Sequence, residues 1–208
     1  MKTFFFGVVS ILLLSACNPD NCPDELLYEL PFTIINPSDT ISVGDTIWYE
    51  SRFDKVLYDK NGNIENEFED FDFSFISCIL TRIDSTEEQG GGFDVEVLPK
   101  VGAISLTSVS FGYDYHHLHY NYDPNDGYSI KFGLIIKENG LFLIRFGYFE
   151  SIQKVQTNCT SHYVGWRFNL NVDNSNFEML QLSPQTFWQE LMISDWNRQG
   201  SYCLYVKP

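Results

Sequence analysis

The chain is short of basic residues, with 13 Lys and Arg against 28 Asp and Glu and a net charge of −15 at pH 7 with His neutral. Such a balance repels phosphate backbones, which excludes DNA and RNA as partners. Long apolar runs are missing too. The longest, Phe4 to Leu14, has eleven residues, where a spanning helix needs roughly 20. There is no G-x-S-x-G, no H-E-x-x-H and no glycine-rich phosphate loop, so the familiar sequence marks of serine hydrolases, zinc peptidases and P-loop enzymes are absent. Ser151-Ile152-Gln153-Lys154 matches S-x-x-K by letters alone, without the S-D-N and K-T-G elements that accompany it in penicillin-binding enzymes. No two cysteines form a C-x-x-C pair, which disfavours zinc, and no internal repeat at a fixed period is present.

What the N-terminus does have is the layout of an export signal: Lys2 as its single charge, the apolar run, then small residues before a cysteine. Leu14-Ser15-Ala16-Cys17 resembles the lipobox of bacterial lipoproteins. That resemblance implies removal of residues 1–16, diacylglycerol on the Cys17 thiol and Cys17 as the new N-terminus. Each buried methylene contributes about 0.8 kcal/mol, so two or three acyl chains hold a domain at a bilayer without a transmembrane helix. Residues 17–30 are expected to form the anchor and a polar, proline-containing tether, and residues 31–208 a single domain. Asn18 after the lipidated cysteine resembles lipoproteins passed on to the outer membrane, with the periplasmic or surface face left open.

Assigning Cys17 to lipid leaves Cys22, Cys78, Cys159 and Cys203, an even number in an oxidising compartment, which reads as two disulfides. Cys203 falls in an apparent strand and Cys159 in a polar loop. These positions favour pairing Cys159 with Cys203 and Cys22 with Cys78.

Aromatics form 16% of the chain, and β-branched and aromatic runs recur between turn signals, the pattern of an all-β domain. Expected strands include Phe32 to Asn36, Thr46 to Arg52, Phe71 to Ile83, a long one from Ile104 to Tyr122, Tyr128 to Lys137, Leu141 to Phe149 and Phe177 to Leu182. Asn61-Gly62 and Asn139-Gly140 read as type I′ hairpin turns, the second joining YSIKFGLIIK to LFLIRFGYF. One short helix is expected near the C-terminus, capped by Ser183, with Pro184 in its first turn and Phe187, Trp188, Leu191 and Met192 at helical spacing. Many strands and one late helix predict an antiparallel β-sandwich.

FTIINPSDTISVGDTIWYES, followed by LYDKNGNIE, resembles the opening of immunoglobulin-like domains in Bacteroidota lipoproteins. IKFGLIIKENGLFLIRF, a loop ending at Cys159-Thr160, and YCLYV resemble a family of uncharacterised lipoproteins of that phylum. The resemblance implies an immunoglobulin-like fold and an envelope location, and no activity. Asp39-Thr40-Ile41, Asp45-Thr46-Ile47 and Asp84-Ser85-Thr86 match the O-glycosylation sequon of the same phylum, making Thr40, Thr46 and Ser85 glycan candidates; Asp-Thr and Asp-Ser are equally common at turns.

For chemistry, FGYDYHHLHYNYD is the most suggestive stretch. In a strand His117 and His119 point to one face, as H-x-H metal ligands do, with Asp123 or His162 as a third ligand. Tyr113, Tyr115, Tyr120 and Tyr122 would equally suit a recognition surface. ENEFEDFD and DPNDG are acidic enough for calcium, though as easily a solvated loop and a proline turn. The sequence therefore predicts a lipid-anchored, non-enzymatic binding or structural protein with no cofactor beyond the lipid. Its partner would be a glycan, a peptide or an envelope protein. A metal-dependent hydrolase using His117 and His119 and a lipocalin-like carrier are the rivals. Labelled palmitate should enter the wild-type chain in the source cells and not Cys17→Ser; incorporation into the variant would remove the anchor.

Overall fold

Alternation of apolar residues settles which face of each strand is covered. The computed structural model describes residues 25–60, 65–85, 94–110, 113–148, 163–172 and 174–208. In chain order its strands are β1 (Glu25–Ile35), β2 (Thr40–Ser42), β3 (Thr46–Phe53), β4 (Val56–Tyr58), β5 (Glu65–Glu67), β6 (Ile76–Arg82) and β7 (Val95–Val101). There follow β8 (Ala103–Ser110), β9 (Tyr113–His119), β10 (Asn121–Asp123), β11 (Gly127–Ile136), β12 (Gly140–Tyr148), β13 (Tyr163–Leu170) and β14 (Tyr202–Lys207). A 3-10 segment, Asn174–Leu182, and two short helices, α1 (Thr186–Gln189) and α2 (Ile193–Arg198), precede the last strand.

The fold is mostly β. One sheet runs β10-β11-β3-β1-β13, with β7 also beside β11, and the other runs β2-β14-β12-β6-β9-β8. Leu26, Tyr28, Leu30, Phe32 and Ile34 of β1, with Ile47, Tyr49 and Phe53 of β3, meet Ile76, Cys78 and Leu80 of β6 and Phe142, Ile144 and Phe146 of β12 in one shared core. The arrangement is sandwich-like. It is not purely antiparallel as expected, because β1 pairs in parallel with β13 and β2 with β14. Both parallel partners come from the C-terminal third of the chain, so no local turn announces them.

A second core lies on the outer face of the second sheet, where Ile83, Leu141, Leu143 and Cys203 meet Leu180, Trp188 and Trp196 of the helical cap. The expected single helix is therefore divided. Ser183 does not cap it: its hydroxyl donates to the Ile83 carbonyl at 2.5 Å, tying the segment to the sheet. The stretch expected as a strand from Phe177 to Leu182 is 3-10 helix instead. Phe177 and Leu180 share a face at three-residue spacing and pack on the cap's core, and the Asn176 amide donates to the Cys203 carbonyl.

Three further expectations change. Glu25 to Leu30 belong to β1 and not to a tether, since Tyr163 to Phe168 pair with them and Leu26, Tyr28 and Leu30 are core. The long strand at Ile104–Tyr122 is β8, β9 and the start of β10. Asn139-Gly140 does not close a hairpin: β11 lies in the first sheet and β12 in the second, and Asn139 lacks the positive φ that a type I′ turn requires. Both faces of β12 are apolar, which suits a place between two cores better than a hairpin on the first sheet. Asn61-Gly62 lies outside the described residues, while β4 and β5 pair antiparallel on either side of it.

The sandwich closes on one side because a ribbon of two strands changes sheets. β7 passes into β8 at Gly102 and β9 into β10 at Tyr120. Gly102 has φ +73°, and a Cβ there would also crowd Ile130 Cγ1 at 3.3 Å. The Tyr120 hydroxyl donates to Ser51 Oγ at 3.2 Å while its ring lies 5.3 Å from that of Phe53. Phe73 sits among Phe53, Tyr128 and Trp166, with ring centroids 5.1, 4.7 and 5.5 Å away. Phe73→Ala should cost about 3–5 kcal/mol in urea unfolding. Phe187→Ala, at a side chain 63% exposed, should stay within about 1 kcal/mol; equal losses would place the core elsewhere.

Candidate functional site

His117 and His119 do share the outer face of β9, as the alternation predicts. Each is met by a serine of a neighbouring strand: Ser77 Oγ lies 3.0 Å from His117 Nδ1, and Ser105 Oγ 2.8 Å from His119 Nε2. Asp123 is not with them. It stands on β10 in the other sheet, where its carboxylate accepts the Asn125 N–H at 2.8 Å and holds the following turn. His162 lies outside the described residues, among which no group of three or more metal-ligating side chains forms. The tyrosines separate as well. Tyr113 and Tyr115 stay on the outer face, while Tyr120 and Tyr122 pack into the interior. Arg145, the residue between them and the cap, has its guanidinium 5.5 Å from both the Tyr113 and Trp188 ring centroids, a cation–π clamp that fixes the cap.

The acids disperse in the same way. Glu65, Glu67, Glu69, Asp70 and Asp72 are exposed, with Asn66 and Phe68 turned inward between them, and Asp126 pairs with Arg52 at 3.3 Å. Of the glycan candidates Thr40 is exposed, whereas Thr46 and Ser85 are half-buried. Cys78 and Cys203 are free thiols on opposite faces of the second sheet, one in each core, which rules out pairing them with each other. Burial pushes the Cys203 thiol up to about 12 and raises that of Cys78 further. Cys17, Cys22 and Cys159 lie outside the described residues.

Two groups of residues were not legible as sites. The first is inside: Asp114 and His116 occupy the inward face of β9, opposite Leu80 and Cys78. His116 is 4% exposed and its Nε2 has no hydrogen-bond partner among the described residues. Burial lowers its pKa to about 4 and raises that of Asp114. The second is a cleft of about 350 Å³ alongside β13. Its floor is the parallel pair β1–β13, whose register sets Glu29 directly opposite Arg167. Lys60 arrives from the β4 end, because its N–H donates to the Leu27 carbonyl at 3.0 Å while Asp59 Oδ1 accepts the Leu27 N–H at 2.6 Å. The far wall is the turn from α2 into β14. The Gln199 carbonyl accepts the Phe146 N–H at 2.8 Å, and Gly200, at φ +53°, lies so near Phe168 that a Cβ would approach its carbonyl to 3.0 Å. Asn169, Asn197 and Ser201 add polar groups to the lining, and Leu170, Val172 and Trp196 its apolar part. A cross-strand Glu–Arg pair is a signal only once the strands are known to pair, and 137 residues separate Ile34 from the Asn171 side chain that accepts its N–H.

No protein-family model and no curated protein matches this chain, so what the cleft can do follows from its own groups. These are two cations, one carboxylate, two amides and a buried hydroxyl, a set suited to holding a polar ligand.

The buried imidazole gives stability a pH dependence with a definite sign. Between about 6.5 and about 4 the unfolded chain takes up a proton that folded His116 refuses, so stability falls as pH drops through that window and levels below it. The loss is roughly 3 kcal/mol if His116 acts alone, reduced by Asp114, whose raised pKa works in the opposite direction. His116→Leu should flatten the slope in urea titrations across pH 4–6.5; an unchanged slope would assign it to other groups.

Proposed function

We propose that this chain is a lipid-anchored protein of the bacterial cell envelope, held through Cys17, with an immunoglobulin-like sandwich and a non-enzymatic binding role exercised by the cleft beside β13. The observation that carries this reading is the cleft itself. Its polar groups stand on paired strands and on a turn fixed by backbone hydrogen bonds, so they are held in place before any ligand arrives. The outer face of β9 serves less well, because both histidines there are already bonded to serines. An envelope location suits a protein whose acidic surface gives it no electrostatic hold on an anionic bilayer, so that lipid has to supply the attachment. A glycan, a peptide or an envelope component is the expected class of partner.

The test is thermal unfolding of the mature chain in detergent micelles against soluble saccharides and short peptides. A ligand at about 100 times its Kd adds roughly 2.7 kcal/mol, a rise of about 5–10 °C for a domain of this size. Asn169→Trp, at an exposed position on the rim, should abolish the rise while leaving the unliganded midpoint within about 2 °C. A rise that survives Asn169→Trp but is lost in His117→Ala would move the site to β9 and refute the cleft.

A further inference from the structure

The cleft's ionised groups are Glu29, Lys60 and Arg167, one negative and two positive charges in a chain whose net charge is −15. Both cations face the same carboxylate oxygen. Lys60 Nζ holds Glu29 Oε1 at 2.5 Å, and Arg167 Nη1 stands 3.7 Å from the same atom. The second distance is an ion-pair contact and too long for a hydrogen bond. The Arg167 fork, with its pairwise donors, therefore has no hydrogen-bonded acceptor among the described residues. Its position is nevertheless fixed, since β13 is paired along its length with β1.

A second unmet group lies in the same wall. Ser201 is 4% exposed and its hydroxyl has no hydrogen-bond partner among the described residues. A buried hydroxyl without a partner is costly, and Ser201 is one of the residues lining the cleft, together with Asn169 and Asn197.

From these two unmet groups we infer that the cleft takes the carboxylate of a small hydroxyl-rich acid, of the hexuronic acid class, with the carboxylate on Arg167 and Lys60 and sugar hydroxyls on Ser201, Asn169 and Asn197. This rests on the binding role proposed above and names its ligand chemistry. Three arguments define the class. A guanidinium fork matches a carboxylate with two parallel charge-assisted bonds. The local excess of one positive charge is neutralised by a monoanion, whereas a phosphate dianion overshoots it beside Glu29. Hydroxyl and amide groups grouped near the cation pair reward a ligand with hydroxyls next to its acid.

Calorimetry on the mature lipidated chain in micelles tests this with galacturonate, neutral galactose, galactose 6-phosphate and trigalacturonate. Galacturonate should bind at least about tenfold more tightly than galactose or the phosphate. Arg167→Lys keeps the charge but removes the fork, and should weaken galacturonate about tenfold. Glu29→Gln removes the competing carboxylate and should tighten it severalfold, a gain that damage to the fold would not produce. Trigalacturonate binding more tightly than the monomer identifies a polymer chain as the source, and equal binding identifies the free acid. No galacturonate heat at about 10 mM ligand, galactose binding as well as galacturonate, or an unaffected Arg167→Lys variant each overturns the inference. Galactose binding at least as tight as galacturonate, and abolished by Asn169→Trp, would overturn it while leaving the binding role intact.

Discussion

Because Phe142, Ile144 and Phe146 of β12 face one core and Leu141 and Leu143 face the other, this strand must be covered on both sides. That demand organises the molecule into three layers. The first sheet lies against one face of β12 and the helical cap against the other. The two sets of side chains represent on the order of 10 kcal/mol of burial at roughly 2 kcal/mol each, so neither layer is dispensable. The cap, in turn, has to reach its place from the end of β13 and return to β14, which pairs with β12. The turn that makes this return, Trp196 to Ser201, is therefore forced against the edge of β13, where Gln199 bridges Phe168. The cleft is the space left between that turn and the charged outer face of the β1–β13 pair.

The charge arrangement in the cleft follows from the same topology. Parallel pairing sets Glu29 against Arg167, and an opposite-charge pair across two strands is worth a fraction of a kcal/mol when exposed. Lys60 adds a second cation because the backbone of Leu27 lacks a strand partner on its other side and is satisfied by Asp59 and Lys60 instead. Two cations thus converge on one carboxylate for reasons of backbone satisfaction, and the surplus positive charge, in an otherwise acidic protein, is what the proposed anion selectivity rests on.

Local pattern carried what the sequence revealed. Alternation in Tyr128, Ile130 and Phe132 correctly puts all three on one buried face, and the same rule puts His117 and His119 together. What failed was any inference about where a strand goes after its turn. Asn139-Gly140 has the letters of a tight hairpin, yet the strands it joins part into different sheets, because the two-faced hydrophobicity of β12 outweighs the preference of the turn residues. Phe177 and Leu180 sit in a run that reads as a strand until the sheet beneath them is known. The cleft was beyond reach for the same reason: Glu29, Lys60, Arg167 and Ser201 are neighbours only after the parallel register exists. His116 was hidden by its own neighbours, since H-x-H draws the eye to the outward pair, and the first histidine of the run is the one that turns inward.

The proposed anchor bears on how the cleft meets its surroundings. From Cys17 to Glu25 is a reach of at most about 3.3–3.6 Å per residue, or about 30 Å, and Glu29 lies about 13 Å further along β1 at the usual strand rise. The end of the sandwich nearest that attachment also carries the exposed acids of Glu65 to Asp72, since the Asn66 amide donates to the Tyr28 hydroxyl in the same half of β1. Against an anionic bilayer those acids repel within a Debye length of about 8 Å. Under the proposed anchor, the tether would draw the domain down and the acidic end would hold it off. In that proposed arrangement the mouth beside β13 would face water, on the side from which the proposed ligand would come.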